Sequence, residues 1–221
     1  MIDIHTHVIP FVDDGSPSLE ASLEMIKHEL SVGVTEIVCT PHHIFGRYTK
    51  SIEEIKYNFD LLVKAVAQEK LPIKLYLGQE ICYTHREDII AMLENKQLLT
   101  LNNTKKVLLE FSFKREPEDV QEIIYNFRVK GYQVIVAHVE RYEWMTFAKV
   151  IAMRAEGALI QSNSGALIGQ TTWKEKRFVK KLLKHGLIDI IASDTHSFRP
   201  STLGKAYKKL KNPDLFNFKL D

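Results

Sequence analysis

Residues 1–15, MIDIHTHVIPFVDDG, begin with a short predicted strand whose end carries two histidines. Ile2 and Ile4 alternate with polar residues, which is the period of a strand, so His5 and His7 point to the same face of the chain. Two imidazoles that approach one point in space can bind a metal ion, although a lone His-x-His pair also occurs in ordinary structural roles. The rest of the chain must decide between these two interpretations.

The composition indicates one globular domain over residues 1–221. The chain has 45% hydrophobic and 26% charged residues and a net charge of +2, so its bulk charge favours neither nucleic acid nor a membrane surface as a partner. The Lys-rich stretch Lys174–Lys184 predicts a helix with one solvated face. The start of the chain predicts no signal peptide, and no apolar run reaches the ~20 residues that span a bilayer. Because Cys39 and Cys82 suggest no disulfide framework, we expect a cytoplasmic protein.

The fold is predicted from apolar runs that alternate with stretches of helical period. After the first strand, the runs are TEIVCT, IKLYLG, KVLLEF, YQVIVA, ALIQS and IDIIAS, and the seven strands end near residues 5, 40, 78, 111, 137, 162 and 193. Such near-continuous apolar strands are buried on both faces, as in a parallel sheet flanked by helices. The helices are expected near residues 19–31, 52–69, 88–95, 118–130, 143–156, 173–184 and 202–210, with Gly33, Gly131 and Gly186 as C-terminal caps. These seven βα units can close into a barrel or remain an open sheet.

Polar side chains at the strand ends favour the barrel. An ionisable or polar residue lies at the C-terminal end of every predicted strand, and in a barrel these ends converge on one mouth. In an open sheet they would be spread along a crevice, with some too far apart to cooperate. The sequence therefore predicts an α/β fold of the TIM-like barrel type with its chemistry at the mouth.

Nine side chains form the predicted constellation. They are His5, His7, Asp14, His42, Glu80, Glu110, His138, Asp194 and His196. Each has a structural alternative: a histidine can cap a helix, Glu110 can be a buried partner of a cation, and Asp14 can belong to a turn. The recurrence of the same residue types at the ends of six strands is what these alternatives do not explain.

So many carboxylates in one mouth would repel each other unless cations balance them. A mixed set of histidines and carboxylates without thiolates fits Mn²⁺, Fe²⁺ or Zn²⁺, and nine ligands would serve two or three ions with a carboxylate such as Glu80 bridging. Neighbouring metal ions suit in-line displacement at phosphorus, so we predict phosphoester hydrolysis by an activated water. Cys39 and Cys82 lack the arginine spacing of a cysteine-based phosphatase, and the chain has no P-loop.

At this point the chain resembles the PHP (polymerase and histidinol phosphatase) superfamily. Within it, the sequence is similar to the bacterial manganese-dependent protein-tyrosine phosphatases of capsule and exopolysaccharide clusters. The stretches that carry the resemblance are MIDIHTHVIPFVDDG, CTPHH, LGQEI, VLLEFS, AHVERY and ASDTH, which occur in the family's order from residue 1 to about 196. The resemblance implies a distorted (β/α)7 barrel with a trinuclear metal site.

The resemblance also implies roles for individual residues. His5 and His7 would bind one metal, with Glu80 bridging to a second. The second ion would be held by Glu110 and His138, the third by Asp14, His42 and His196, and Asp194 would complete the cluster. Arg141 matches a family arginine that orients the phosphate. Arg199 is the candidate for a second one, although it lies closer to His196 than the family pattern has it. The candidate catalytic residues are thus His42, Arg141 and Arg199.

The family's substrates are phosphorylated tyrosines in the tail of a bacterial tyrosine kinase that controls polysaccharide export. Two alternatives stay open: a small-molecule phosphatase, such as one acting on histidinol phosphate, and a non-catalytic metal-binding docking protein. An open rim with aromatic residues such as Tyr48, Tyr83 and Tyr142 would admit a peptide, whereas a deep pocket would favour a small molecule. The same tyrosines could instead be packing residues.

Overall fold

A computed structural model of the protein describes residues 1–216 and 218–220. The nine strands of this part of the chain are β1 (Ile2–Thr6), β2 (Glu36–Cys39), β3 (His42–His43), β4 (Lys74–Leu77), β5 (Glu80–Cys82), β6 (Lys106–Glu110), β7 (Gln133–Val136), β8 (Leu159–Asn163) and β9 (Ile190–Ala192). Each predicted strand end lies within about one residue of an observed one. The prediction of alternating strands and helices is therefore confirmed.

The eight α-helices among the described residues are α1 (Leu19–Ser31), α2 (Ile52–Gln68), α3 (Ile89–Glu94), α4 (Val120–Val129), α5 (Phe147–Ala155), α6 (Ser164–Ile168), α7 (Trp173–Lys184) and α8 (Leu203–Tyr207). Seven of them match predicted helices, and α6 was not predicted. Gly33, Gly131 and Gly186 have φ angles of 92°, 80° and 64°, the left-handed conformation expected just after a helix.

All strand pairs are parallel and form two sheets, one in the order β1-β2-β4 and the other in the order β3-β5-β6-β7-β8-β9. Two predicted strands, β2 and β4, are each followed after a break by a second short strand that joins the other sheet. In the first sheet β2 pairs with β1 and with β4, whereas in the second sheet β5 pairs with β3 and with β6. Pro41 lacks an N–H for the ladder at the first break. At the second break, Gly78 packs so closely against Leu101 that an added Cβ would lie 2.8 Å from Leu101 Cδ2. The result is a curled, half-barrel arrangement of parallel strands, in which the count of seven βα units is not directly seen.

The two sheets approach each other at the end of β1. The His7 N–H donates to the Thr195 carbonyl (3.0 Å), and the Asp194 N–H donates to the His5 carbonyl (2.9 Å), so the segment after β9 lies beside β1. A cluster of buried side chains fills the interior of the curl: Ile4, Val38, Leu101, Leu108, Ile135, Ala137, Ile190 and Ala192. A larger cluster lies between the strands and the helices. Most strands are thus buried on both faces, as predicted, whereas β4 is only partly buried.

Helix α7 has the predicted solvated face. Val179 and Leu182 are buried, whereas Lys180, Lys181 and Lys184 are exposed. None of the helices in the described residues combines the length and the apolar composition needed to cross a bilayer. Both cysteines are free, and burial raises the pKa of the Cys82 thiol to about 12. A thiolate nucleophile is therefore disfavoured at neutral pH.

Candidate metal centre

The nine predicted side chains lie together at the C-terminal ends of the strands. His5 is on β1, His42 on β3, Glu80 on β5 and Glu110 on β6. The others are in the loops that follow strands: His7, Asp14, His138, Asp194 and His196. Because parallel strands end on the same side of the sheet, six distant parts of the sequence converge here.

The centre of the site is Glu80, which is fully buried. Its Oε2 lies 3.1 Å from His5 Nε2, 3.3 Å from His7 Nε2 and 2.9 Å from His42 Nδ1. Its Oε1 lies 2.9 Å from His138 Nε2. Burial opposes ionisation, but the neighbouring charges of His5 and His42 hold the pKa of Glu80 well below its usual range. A carboxylate whose two oxygens face different histidines is placed as a bridging ligand would be.

His138 and Glu110 form one side of the site. His138 Nε2 lies 3.4 Å from Glu110 Oε1. Burial lowers the pKa of His138 to about 4, so its imidazole is neutral at pH 7 and can offer a lone pair. Burial, reinforced by the charge of Glu80, raises the pKa of Glu110 to about 9. The second effect is what the sequence predicted for acidic groups crowded together without cations.

His42, His196 and Asp14 form the opposite, more open side. Ring nitrogens of His7, His42 and His196 lie within 4.8 Å of one another, which is close enough to share an ion. Asp14 Oδ1 is 3.7 Å from His42 Nε2 and 3.8 Å from His196 Nε2. Its side chain is 36% exposed, so Asp14 lies at the edge of the group.

Asp194 connects the histidines to two arginines. Its Oδ1 lies 3.5 Å from His7 Nε2, and its Oδ2 accepts hydrogen bonds from Arg141 Nη1 (3.3 Å) and from Asn163 Nδ2 (2.8 Å). Arg199 Nη2 is 2.7 Å from the same oxygen. Arg199, whose position the sequence left open, therefore lies at the site.

The backbone at two candidate ligands is strained. His138 has a φ angle of 28° and Asp194 one of 54°, both in the left-handed region that non-glycine residues rarely adopt. Such conformations concentrate where a side chain must be held in a functional position. Here they turn the side chains at the ends of β7 and β9 into the mouth.

Three residues that orient the candidate ligands lie outside the predicted set of nine. Asp13 Oδ2 accepts from His7 Nδ1 (2.7 Å) and from the His42 N–H (2.9 Å), which leaves His7 Nε2 facing Glu80. Gln161 Oε1 lies 3.1 Å from His5 Nδ1, and the Gln161 amide donates to Asn163 Oδ1 (2.8 Å). Gln161 and Asn163 are two residues apart on β8 and therefore share one face of the strand. This spacing could have identified them.

The donor set fits metal ions. Four groups of three side chains bring potential ligand atoms within 4.8 Å of one another: His7, His42 and His196; His5, Glu80 and His138; His5, His7 and Asp194; and His42, Glu80 and Glu110. His42 Nδ1 and Glu80 Oε2 are close but not aligned as a hydrogen bond, and both lack a hydrogen-bond partner among the described residues. Buried polar atoms without partners are costly, and a shared cation would satisfy them.

The site opens into a cavity of about 470 Å³ whose lining includes Arg141 and Arg199. Aromatic side chains surround the cavity, and Phe198 is 69% exposed. Among the tyrosines considered for the rim, Tyr48 stacks on His42 with ring centroids 5.8 Å apart. Tyr142 is instead a packing residue, because it is buried and its hydroxyl donates to the Ala137 carbonyl (2.8 Å).

The fold and the site define the class of the protein: a parallel α/β fold with a buried group of histidines and carboxylates at the strand ends. Comparison with known proteins places the chain in a family. Residues 1–212 match the family described as "Capsular polysaccharide synthesis, CpsB/CapC". The chain belongs to this family.

Curated relatives cover most of the chain. The sequence is 36% identical over 218 residues to the tyrosine-protein phosphatase CpsB of Streptococcus agalactiae, which spans 94% of this chain and 88% of that protein. It is 34% identical over 202 residues to the tyrosine-protein phosphatase YwqE of Bacillus subtilis, with 90% and 78% covered.

Solved structures extend the comparison. A structure from a study of YwqE from Bacillus subtilis and CpsB from Streptococcus pneumoniae, described as metal-dependent tyrosine phosphatases, has a TM-score of 0.89 at 32% identity. It covers 97% of this chain and 89% of that one. The histidinol phosphate phosphatase of Lactococcus lactis has a TM-score of 0.60 at 15% identity over 98% of this chain and 94% of that one, so it shows a shared fold alone.

Proposed function

We propose that this protein is a metal-dependent protein-tyrosine phosphatase that hydrolyses phosphotyrosine by means of a metal-activated water. The observation that carries the proposal is the convergence of overlapping ligand groups on Glu80 beneath a cavity lined by Arg141 and Arg199. The relatives named as tyrosine-protein phosphatases support the choice of substrate class. The high pKa values of Cys39 and Cys82 argue against a cysteine mechanism.

The proposed roles of the residues follow from their positions. His5, His7, Asp14, His42, Glu80, Glu110, His138, Asp194 and His196 would hold two or three ions, and Mn²⁺ fits this mixture of nitrogen and oxygen ligands. Ions bound there would supply an activated water and neutralise the phosphoryl oxygens. The neutral imidazole of His138 offers its lone pair without a competing proton.

Arg141 and Arg199 would orient the phosphate. Both line the cavity, and both guanidinium groups contact Asp194. Guanidinium groups bind phosphate oxygens in a planar, two-pronged arrangement, which fixes the position of phosphorus relative to the attacking water. The contacts with Asp194 hold the two side chains in place before substrate arrives.

The wider setting is also part of the proposal. Residues 1–221 would form one domain, with the interrupted strands as parts of a distorted (β/α)7 barrel. The free thiols of Cys39 and Cys82 suit the reducing cytoplasm. The description of the family as one of capsular polysaccharide synthesis supports a substrate in the tail of a bacterial tyrosine kinase that controls polysaccharide export.

The test compares two phosphorylated substrates. Protein stripped of metal is assayed for phosphate release from a phosphotyrosyl peptide and from histidinol phosphate, with and without added Mn²⁺, beside a His42→Ala variant. We expect Mn²⁺ to restore peptide hydrolysis far more than hydrolysis of histidinol phosphate, and His42→Ala to reduce it by at least about 100-fold. Cleavage of histidinol phosphate alone would contradict the substrate class. Metal-independent or absent release from both would favour a docking protein.

A further inference from the structure

A small hairpin at the rim of the cavity is built as a rigid unit. The Ile44 and Tyr48 backbones exchange two hydrogen bonds of 2.9 Å, and the Arg47 N–H donates to the Ile44 carbonyl (2.9 Å). Gly46 permits the turn because its φ angle is 75°. The residues at the tip of this rim hairpin (residues 44–48) therefore have a fixed direction.

The rim hairpin is attached to the catalytic site through aromatic stacking. The Tyr48 ring lies nearly parallel to the His42 imidazole, at an interplanar angle of 9°. The Arg47 guanidinium lies 4.8 Å from the centre of the Tyr48 ring, a cation–π contact that limits its mobility. Arg47 also lines the cavity that contains Arg141 and Arg199. A cation is thus held at a defined position beside the site.

The charge of Arg47 has no carboxylate counterpart among the described residues. Arg141 and Arg199 both contact Asp194, but Arg47 is exposed and forms no ion pair with any carboxylate of residues 1–216 and 218–220. Arg86, in the next strand-end loop, is also exposed and unpaired within the described residues, and lies 5.8 Å from the Phe45 ring. Phe45 itself is 45% exposed. The rim therefore presents positive charge and aromatic surface together.

We propose that Arg47 is a specificity-determining residue that binds a carboxylate side chain next to the phosphotyrosine of the substrate. The inference rests on the proposed function and extends it, because it names the chemistry of the sequence around the phosphorylated residue. A fixed guanidinium matches a carboxylate in a two-pronged arrangement. Phe45 and Phe198 would add apolar contact to the peptide on the rim.

The experiment uses a set of phosphotyrosyl peptides that differ at one position. Glu, Gln or Lys is placed in turn at the two positions before and after the phosphotyrosine, and kcat and KM are measured separately for the Mn²⁺-loaded protein. We expect Glu to be favoured over Lys in kcat/KM by about fivefold to tenfold at one or more positions, mostly through KM, and added salt to weaken the preference.

Charge reversal at Arg47 supplies the direct test. In R47E the preference should change to Lys over Glu at the same position, and in R47Q it should disappear. The matched control is K64E, which makes the same reversal of charge on the exposed face of α2. It should leave the peptide preference unchanged. Hydrolysis of p-nitrophenyl phosphate is measured for all three variants.

Three outcomes would overturn the proposal. The first is wild-type protein that hydrolyses all the peptides equally well. The second is an equal loss in R47E for every peptide and for p-nitrophenyl phosphate, which would mean that Arg47 binds the phosphate itself. The third, release from no peptide while histidinol phosphate is cleaved, would remove the proposed function and this inference with it.

Discussion

Asp13 fixes the orientation of two candidate ligands from a position where it faces neither substrate nor solvent. Its carboxylate accepts hydrogen bonds from His7 Nδ1, from the His42 N–H and from the Gly15 N–H (2.9 Å). Burial alone would raise the pKa of Asp13, but the charge of His7 lowers it to about 2, so the group is ionised at neutral pH. An ionised partner on Nδ1 keeps the lone pair of His7 on Nε2, where a metal would be.

We expect Asp13→Asn to weaken Mn²⁺ binding by about 10- to 100-fold, because the amide can no longer act as an ionised acceptor for both donors. Titration of metal-stripped protein with Mn²⁺ measures the change. The control is Asp60→Asn, at an exposed position on α2. Equal affinities of Asp13→Asn and wild type would mean that Asp13 does not orient the ligands.

Glu29 is a carboxyl group outside the nine candidate ligands whose ionisation should affect stability. It is buried on α1, and its Oε2 has no hydrogen-bond partner among the described residues. Burial, followed by the charge of the nearby Asp3, raises the pKa of Glu29 well above its usual value. Since the folded state then binds the proton more tightly than the unfolded state, stability falls as pH rises from the unfolded pKa of about 4.5 through the folded pKa.

Glu29→Gln should therefore raise the free energy of unfolding at pH 8 by about 1–2 kcal/mol and change it much less at pH 5. Urea unfolding of metal-free protein at both pH values measures the difference, with exposed Glu118→Gln as the control. A gain that is the same at both pH values would show that the ionisation of Glu29 is not its cause.

The sequence predicted which residues form the site better than it predicted the contacts between their side chains. The ionisable side chains at strand ends, such as His138 and Asp194, were recognisable because strand periodicity places them. Asp13 was passed over for its neighbour Asp14, because the sequence does not tell which of two adjacent carboxylates turns inward. The orientation of the Arg199 side chain could not be predicted for the same reason, because a loop has no period that indicates where a side chain points.

At the scale of elements, helices α1 and α7 were predicted to the residue, since caps and apolar period agree there. The interruptions after β2 and β4 were not predicted. They depend on which strand each half pairs with, and that is a property of the assembled sheet. Helix α6, residues Ser164–Ile168, was missed because five residues are too few to display a helical period.

Two glycines in these short helices give a matched prediction. An added Cβ on Gly204 in α8 would lie 2.2 Å from the Val32 carbonyl oxygen, whereas one on Gly165 in α6 would meet nothing nearer than 3.6 Å. We expect Gly204→Ala to lower the free energy of unfolding by about 2 kcal/mol or more, because backbone atoms cannot move aside easily.

Gly165→Ala should change the free energy of unfolding by less than about 1 kcal/mol, and the better helix propensity of alanine can make the change favourable. Urea unfolding of both variants measures the pair. If Gly204→Ala were as stable as Gly165→Ala, the close packing of α8 against the end of α1 would be wrong.

At the scale of the whole molecule, the site concentrates buried charge that the fold does not balance by itself. Glu80 and Asp194 are held ionised by histidines, while Glu110 has a raised pKa. Ions that bind only the folded chain would add about 2.7 kcal/mol per site at 100 times their Kd. We therefore expect two or three bound Mn²⁺ ions to raise the melting temperature of stripped protein by about 10–30 °C.

Thermal unfolding of stripped protein with increasing Mn²⁺ measures this shift, and Mg²⁺, which prefers oxygen ligands, serves as the comparison ion. An equal shift with both ions would indicate non-specific binding to surface carboxylates. A melting temperature that neither ion changes would contradict the metal centre.

One titration can measure metal binding and phosphate release together. Metal-stripped protein receives Mn²⁺ in steps, and at each step the ions bound per chain and the phosphate released from a phosphotyrosyl peptide are measured on the same sample. A catalytic metal centre predicts no release without metal and a rise that ends when two or three ions are bound. Full release from the stripped protein, or none from the fully loaded protein, would contradict it.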